Sequence, residues 1–149
     1  MDCKSCFFIG SRYATSSIKN QLAEAVEKHI NEYGVTTFTV GRYGGFDRLT
    51  MGVLQEAKKL HDNIKIYLLA PYAFNKKVDT PEGFDGTFYP EGLEKTPFRL
   101  AIVQANHLMI KTSDYLIAYP GSGNSLKITE YAQRREKRGL IKVTLLREL

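Results

Sequence analysis

Apolar and polar residues follow two alternating rhythms along this chain. Short apolar runs predict strands buried on both faces of a parallel sheet, while the stretches between them repeat apolar residues at spacings of three and four, which predicts amphipathic helices. In the first helical stretch this repeat passes through Ile18, Leu22, Val26 and Ile30 before Gly34 ends it. The predicted strands are 5–10, 36–40, 64–70, 114–119 and 140–146, and the predicted helices are 15–33, 49–60, 98–111 and 125–137.

Because strands and helices alternate, the expected fold class is α/β. Residues 1–149 form one predicted domain, a three-layer α/β/α sandwich around a mostly parallel sheet of five strands. The rhythm breaks between residues 71 and 97, a stretch with four prolines and three glycines. This long connection holds at most a short extended piece at 87–89, and a loop of its length is more often functional than idle.

Composition indicates a globular chain. With 149 residues, 43% of them hydrophobic and 25% charged, the sequence can bury a core and is neither disordered nor collagen-like. Its apolar runs are much shorter than the roughly 20 residues of a membrane span, so neither a membrane partner nor a signal peptide is expected. The two cysteines, Cys3 and Cys6, are too few for a disulfide framework and fit the reducing cytoplasm.

The net charge of +5 raises the question of an anionic partner. The densest basic run ends the last predicted helix, where cations complement the helix dipole, so a solvated face explains it. That run is Arg134, Arg135, Lys137 and Arg138. A nucleic-acid-associated protein is therefore the third-ranked hypothesis, because the basic residues are dispersed over several elements.

Ligands of open parallel sheets bind beyond the carboxyl ends of the strands, so the loops there supply the candidate binding residues. Four of these loops place small residues and backbone N–H groups next to a helix start, one of them the long connection after the third strand, and the other three supply named candidates. Their candidates are Gly10, Ser11 and Arg12 after the first strand, Gly44, Gly45 and Asp47 after the second, and Pro120, Gly121, Ser122, Gly123, Asn124 and Ser125 after the fourth.

The loop at 120–125 is the most informative of the four. Its glycines allow close backbone approach, Asn124 or Ser125 can cap the helix that follows, and unpaired N–H groups meet the positive end of the helix dipole there. This arrangement suits a phosphate of a nucleotide or a phosphorylated sugar. An ordinary strand-to-helix turn that uses glycine for its geometry explains the same residues.

Single side chains in the other loops allow two interpretations each. Asp47 is either the anion that a helix start favours or an acceptor for ribose hydroxyls, and Arg12 either binds phosphate or lies on the surface. No metal site is expected, because the three histidines, His29, His61 and His107, share no ligand spacing. No cofactor is expected either. Aromatic rings at this edge either stack on a base or cover the core, and the candidates are Tyr43, Tyr72, Phe74 and Tyr89.

Taken in order, these motifs resemble the SLOG superfamily, and its YpsA-like branch in particular. The resemblance is carried by residues 6–12 (CFFIGSR), 45–47 (GFD), 88–91 (FYPE), Asn106, 112–114 (TSD) and 124–132 (NSLKITEYA). Each motif is short, and the evidence is their order over nearly the whole chain. The resemblance implies a Rossmann-like fold that binds nucleotides or nucleotide-derived small molecules, and it adds Asn106 to the binding residues.

Members of that superfamily are of two kinds. Some are ligand-sensing domains, and others, similar to the LOG-type phosphoribohydrolases, cleave an N-glycosidic bond with a helix arginine and a glutamate after a Gly-rich turn. This sequence has Ala105 where the arginine is expected, and Glu130 follows Ser125 by five residues instead of three. A shift of two residues turns a helical side chain by about 200°, so Glu130 need not face the same pocket.

The leading hypothesis is a protein that binds a nucleotide or a phosphorylated nucleoside derivative, as a sensor or ligand-binding module. The alternative is a hydrolase acting on nucleoside monophosphates. Its catalytic carboxylate would be Glu130 or Asp47, with Arg12 or Arg99 in place of the missing arginine. The apolar helix at 101–109 could pack against a second copy, so a homodimer is a further hypothesis.

Overall fold

Within residues 3–71 and 80–148, which the computed structural model describes, the chain forms six strands and four α-helices. The strands are β1 (Lys4–Gly10), β2 (Val35–Val40), β3 (Lys65–Leu69), β4 (Gly86–Phe88), β5 (Tyr115–Tyr119) and β6 (Lys142–Leu145). The helices are α1 (Lys19–Asn31), α2 (Gly45–Leu60), α3 (Phe98–Thr112) and α4 (Asn124–Lys137), and a short 3-10 helix, Ser16–Ile18, leads into α1. In the described ranges, no helix has the length and apolar character that crossing a membrane requires.

The six described strands lie in one parallel sheet with the order β4-β3-β2-β1-β5-β6. The expected α/β class with a parallel sheet is confirmed, but the expected number of five strands is wrong. The additional strand, β4, overlaps the short extended piece expected at 87–89, and its three residues are too few to show periodicity in the sequence. The residue before it helps to hold it beside β3, because the Asp85 carboxylate accepts the Ile66 N–H at 2.8 Å and pairs with Lys58 at 3.2 Å.

The last strand begins at Lys142 and not at the predicted Leu140, because Leu140 belongs to the turn that ends α4. The N–H groups of Gly139 and Leu140 donate to the carbonyls of Glu136 at 2.9 Å and Arg135 at 3.0 Å, as in a helix C-terminal cap. An apolar residue in a cap continues the apolar pattern of the strand that follows. Periodicity therefore places the strand boundary too early.

The strand order reverses beside β1, since β2 lies on one side of it and β5 on the other. Helices α1 and α2 pack together on one face of the sheet, and α3 and α4 pack on the other. The buried side chains of β1 alternate between these layers, with Cys6 and Phe8 toward α1 and α2, and Phe7 and Ile9 toward α3 and α4. The reversal leaves a crevice at the carboxyl edge, where ligands of such sheets bind.

Helix α3 uses its apolar side within the chain. Ala105 and Met109 are buried in the core between the sheet and the α3–α4 layer, and Ala101 is fully buried as well. The predicted apolar helix at 101–109 therefore does not offer these residues to a second copy. Its exposed large apolar side chains are Leu100 and Leu108. This packing gives the homodimer hypothesis no support.

Gly10, the last residue of β1, lies directly against the ring of Phe46 near the start of α2. A Cβ at this position would collide with the ring, which is itself fully buried. The Phe46 N–H also donates to the Ser11 carbonyl at 3.1 Å. The strand and the helix therefore meet at a distance that only glycine permits.

We expect Gly10→Ala to lower the free energy of unfolding by at least about 2 kcal/mol, because the added methyl group overpacks the core at Phe46. The matched variant Gly52→Ala lies inside α2 with no atom within 4 Å of the new methyl group. It should raise the free energy of unfolding by about 0.5–1 kcal/mol through helix propensity. Urea denaturation measures both changes. A Gly10→Ala protein as stable as the wild type would contradict the close packing of Gly10 against the Phe46 ring.

Candidate functional site

A cleft of about 570 Å³ lies at the carboxyl edge of the sheet, lined by the loops after β1 and β2 and by residues of α3 and of the start of α4. This volume is typical of a site for a small organic ligand. The cleft brings together nine of the residues predicted to bind ligand: Gly10, Ser11, Arg12, Asp47, Asn106, Ser122, Gly123, Asn124 and Ser125.

The other predicted residues do not line this cleft: Gly44, Gly45, Pro120, Gly121 and Glu130. Gly121 instead packs on Ser11, whose Oγ would stand 2.8 Å from a Cβ added at Gly121. Glu130 is exposed on α4. The position of Glu130 gives the catalytic hypothesis for this residue no support.

The first amides of α2 are already hydrogen-bonded to the protein's own backbone. The N–H groups of Gly45 and Phe46 donate to the carbonyls of Arg12 and Ser11, at 2.8 Å and 3.1 Å. A ligand therefore finds no free amide on these two residues.

The start of α4, in contrast, is open to the cleft. Within the described residues no side chain caps its first turn, and the amides of Asn124, Ser125 and Leu126 have no hydrogen-bond partner. The Ser125 hydroxyl, a predicted cap, instead accepts the Gly121 N–H at 3.0 Å. The helix thus presents N–H donors and the positive end of its dipole to a cleft that Asn124 and Ser125 line.

Two arginines add positive charge to the cleft, Arg12 after β1 and Arg99 in the first turn of α3. Neither forms a salt bridge within the described part of the chain. Asn106 lines the cleft from two turns further along α3. An anion in the cleft therefore has guanidinium, amide and backbone donors within its walls.

Asp47 supplies the cleft with a carboxyl group. Its Oδ2 accepts the Tyr43 N–H at 3.0 Å. Burial raises the pKa of Asp47 to about 7, while the hydrogen bond from Tyr43 and the charge of Arg48 act in the opposite direction. A carboxyl group that titrates near neutral pH inside a cleft is a candidate for ligand recognition or proton transfer.

Among the aromatic candidates, Tyr43 lines the cleft. Its ring meets that of Phe98 edge-on, with centroids 5.6 Å apart and an interplanar angle of 80°. Tyr89 does not line the cleft, and Tyr72 and Phe74 lie outside the described residues. Tyr43 is therefore the described candidate that is placed to stack on a ligand.

Sequence analysis missed most of the apolar walls of the cleft. Leu69 and Pro71 contribute from the end of β3, and Ile102 and Val103 contribute from α3. Apolar residues carry no chemical signature of a site. The signal that could have found those of α3 is that this helix starts directly after the long connection, and therefore at the carboxyl edge of the sheet. Ala105 also lines the cleft, so the position where the resemblance expects an arginine does face the site but carries no charge.

The remaining charged candidates lie elsewhere. The basic run at 134–138 ends α4 at the edge of the sheet opposite the cleft, so it adds no charge to this site. Among the described residues, no three histidine, cysteine, aspartate or glutamate side chains are grouped so that they could hold a metal ion.

The raised pKa of Asp47 predicts a pH-dependent stability. Between about pH 4 and pH 7 the unfolded chain loses this proton before the folded chain does, so the ionised carboxyl group destabilises the fold as pH rises. Asp47→Asn cannot ionise. We expect its free energy of unfolding to exceed that of the wild type by about 1–3 kcal/mol at pH 8 and to equal it near pH 4. Urea denaturation across this range measures the difference, and a difference independent of pH would contradict the assignment.

No protein-family model and no curated protein sequence matches this chain. Among solved structures, it is similar to the molybdenum cofactor binding protein from the phototrophic bacterium Rippkaea orientalis, with a TM-score of 0.63 and 18% sequence identity. The alignment covers 97% of this chain and 77% of that protein. A similarity at this level of identity shows a shared fold, a Rossmann-like α/β architecture with a parallel sheet between helices.

Proposed function

We propose that this chain binds a nucleotide or nucleotide-derived small molecule in the cleft, as a ligand-binding or sensor module. One observation carries the proposal: the uncapped first turn of α4 faces a cleft that also holds two arginines without salt-bridge partners in the described chain. A phosphate there would accept hydrogen bonds from the amides of α4. It would also be stabilised by the helix dipole and by Arg12 or Arg99.

Two further observations support this class of ligand. The ordered motifs typical of the SLOG superfamily and its YpsA-like branch point to nucleotide binding, and Asn106 and Ser125 from those motifs line the cleft. The fold is also that of a molybdenum cofactor binding protein, which adds that cofactor to the candidate ligands.

A thermal-shift panel tests the proposal. It includes nucleoside mono-, di- and triphosphates, ADP-ribose, cyclic nucleotides and the molybdenum cofactor. A ligand at about 100 times its dissociation constant stabilises the folded chain by roughly 2.7 kcal/mol. In a domain of this size that corresponds to an increase in melting temperature of about 5–10 °C. An unchanged melting temperature across the whole panel would overturn the proposal.

Asn124→Asp places a carboxylate at the start of α4 and separates stability from binding. We expect the free energy of unfolding to rise by about 0.5 kcal/mol, because the charge complements the helix dipole. Affinity for a nucleoside monophosphate should fall by at least about tenfold, because the same charge repels phosphate. Urea denaturation and titration calorimetry measure the two effects.

Gln104→Glu is the matched control for this variant. It makes the same change from amide to carboxylate at an exposed position of α3 outside the cleft. Its affinity should equal that of the wild type. An equal loss of affinity in both variants would mean that net charge, and not the start of α4, governs binding.

Hydrolysis of an N-glycosidic bond in the same cleft has less support than binding. Ala105 faces the cleft without a charge, and Glu130 lies outside it. Asp47 is then the carboxylate that remains among the described lining residues. Release of free base from a nucleoside monophosphate, abolished by Asp47→Asn, is the result that would establish the hydrolase.

A further inference from the structure

The two ends of the cleft differ in chemistry. Toward β5 the lining is polar and consists of Ser11 and the residues that start α4, where the proposed phosphate binds. Toward β2 and β3 it includes Tyr43, Leu69, Pro71 and the Asp47 carboxyl group, and the backbone of Arg12 packs on Gly44 there. The second end is apolar and aromatic, with one charged acceptor among its described residues. Such an end suits a flat ring that carries N–H groups.

The Asp47 carboxylate is held in place but keeps acceptor capacity for a ligand. Its Oδ2 accepts the Tyr43 N–H at 3.0 Å, and a Cβ added at Gly41 would stand 2.9 Å from the same oxygen. Within the described chain, Oδ1 accepts no hydrogen bond. An ionised carboxylate only accepts hydrogen bonds, so the ligand group that binds here has to be a donor.

Sheet geometry sets the distance between the two ends. Strands β2 and β5 are both neighbours of β1, so their carboxyl ends lie two strand spacings apart, roughly 10 Å. Asp47 lies against Gly41, the first residue after β2, and α4 starts shortly after β5. In a nucleoside monophosphate, a length of this order separates the phosphate from the far edge of the base, with the ribose between them.

A ligand with its phosphate at α4 therefore brings its base to Asp47. Tyr43 lines this end of the cleft beside Asp47, and its ring meets that of Phe98 edge-on. The ribose then lies over the end of β1, at some distance from the carboxylate. This differs from the expectation that Asp47 accepts ribose hydroxyls.

We infer that Asp47 binds the Watson–Crick edge of a purine base and selects guanine over adenine. In guanine, N1–H and the 2-amino group are adjacent donors that match the two oxygens of one carboxylate. Adenine presents a single amino donor beside the lone pair of N1, which repels a carboxylate. This inference rests on the proposed function and goes beyond it, because it names the base and the residue that recognises it.

Calorimetric titration of the wild-type chain with a series of monophosphates tests the selection. The measurement is made at about pH 8.5, where a carboxyl group with a pKa of about 7 is ionised. We expect GMP to bind about 10–100-fold more tightly than AMP, because AMP leaves the carboxylate unpaired in the cleft. IMP, which lacks the 2-amino group, should fall between them, and 2′-deoxy-GMP should equal GMP.

The variant Asp47→Asn tests recognition directly, because a merely structural role of Asp47 would leave the order of affinities for GMP and XMP unchanged. Its amide donates to the carbonyl that xanthine carries in place of the 2-amino group, while its oxygen still accepts from Tyr43 and from N1–H. We expect this variant to bind XMP more tightly than GMP, the reverse of the wild type. The matched control Asp62→Asn, at an exposed position two residues after the end of α2 and outside the cleft, should keep the wild-type order.

The outcomes separate this inference from the proposed function. Equal binding of GMP and AMP, or an Asp47→Asn variant that keeps its preference for GMP, overturns base selection while nucleotide binding stands. A large loss with 2′-deoxy-GMP and indifference to the base assigns the carboxylate to ribose and overturns the inference as well. No binding of any monophosphate overturns the inference, and the proposed function falls with it when the whole thermal-shift panel also leaves the melting temperature unchanged.

Discussion

The loop formed by Ser11 and Arg12 holds the carboxyl edge of the sheet together. The Ser11 N–H donates to the Tyr119 carbonyl at the end of β5 at 2.8 Å, and the carbonyls of Ser11 and Arg12 accept the N–H groups that start α2. Gly10 and Gly121 allow the neighbouring groups to approach this loop closely. The loops after β1, β2 and β5 are positioned through these contacts, so the shape of the cleft depends mainly on backbone pairing.

The same pairing decides which helix start is available to an anion. Helices α2 and α4 both begin at this edge after a turn that contains glycine, and both orient the positive end of a dipole toward it. At α2 the first amides are already bonded to carbonyls of the β1 loop. At α4 the described chain supplies no acceptor, so these N–H groups remain open to an anion in the cleft. The cleft is thus asymmetric in its electrostatics.

Binding and catalysis make different demands on such a cleft, and this chain meets those of binding more fully. Holding a phosphate requires donors and positive charge, which α4, Arg12 and Arg99 supply. Cleaving a glycosidic bond requires in addition a placed acid or stabilising cation beside the bond. At the position that faces the cleft and where the resemblance expects an arginine, this chain has the uncharged Ala105. Asp47 is the carboxyl group with a suitable pKa, but its place beside Tyr43 favours recognition of a ring.

The amino-acid sequence by itself determined the α/β class, the helices and all strands but one, and the three loops at the carboxyl edge. It could do so because burial is recorded locally, as apolar periodicity along a helix or continuity along a strand, and because glycine marks turns. Eight of the nine predicted residues in the cleft follow from the rule that parallel strands end at one edge, and Asn106 follows from the resemblance.

Only the tertiary structure decided the rest, because it depends on contacts between residues far apart in the chain. Strand β4 exists through its pairing with β3, and the amides that start α2 are closed by a loop more than thirty residues away. The pKa of Asp47 is raised by burial that only the folded chain creates, and Glu130 faces outward because of the rotation of α4. A local pattern carries no information about which of several similar glycines lines a cleft and which packs against a neighbour.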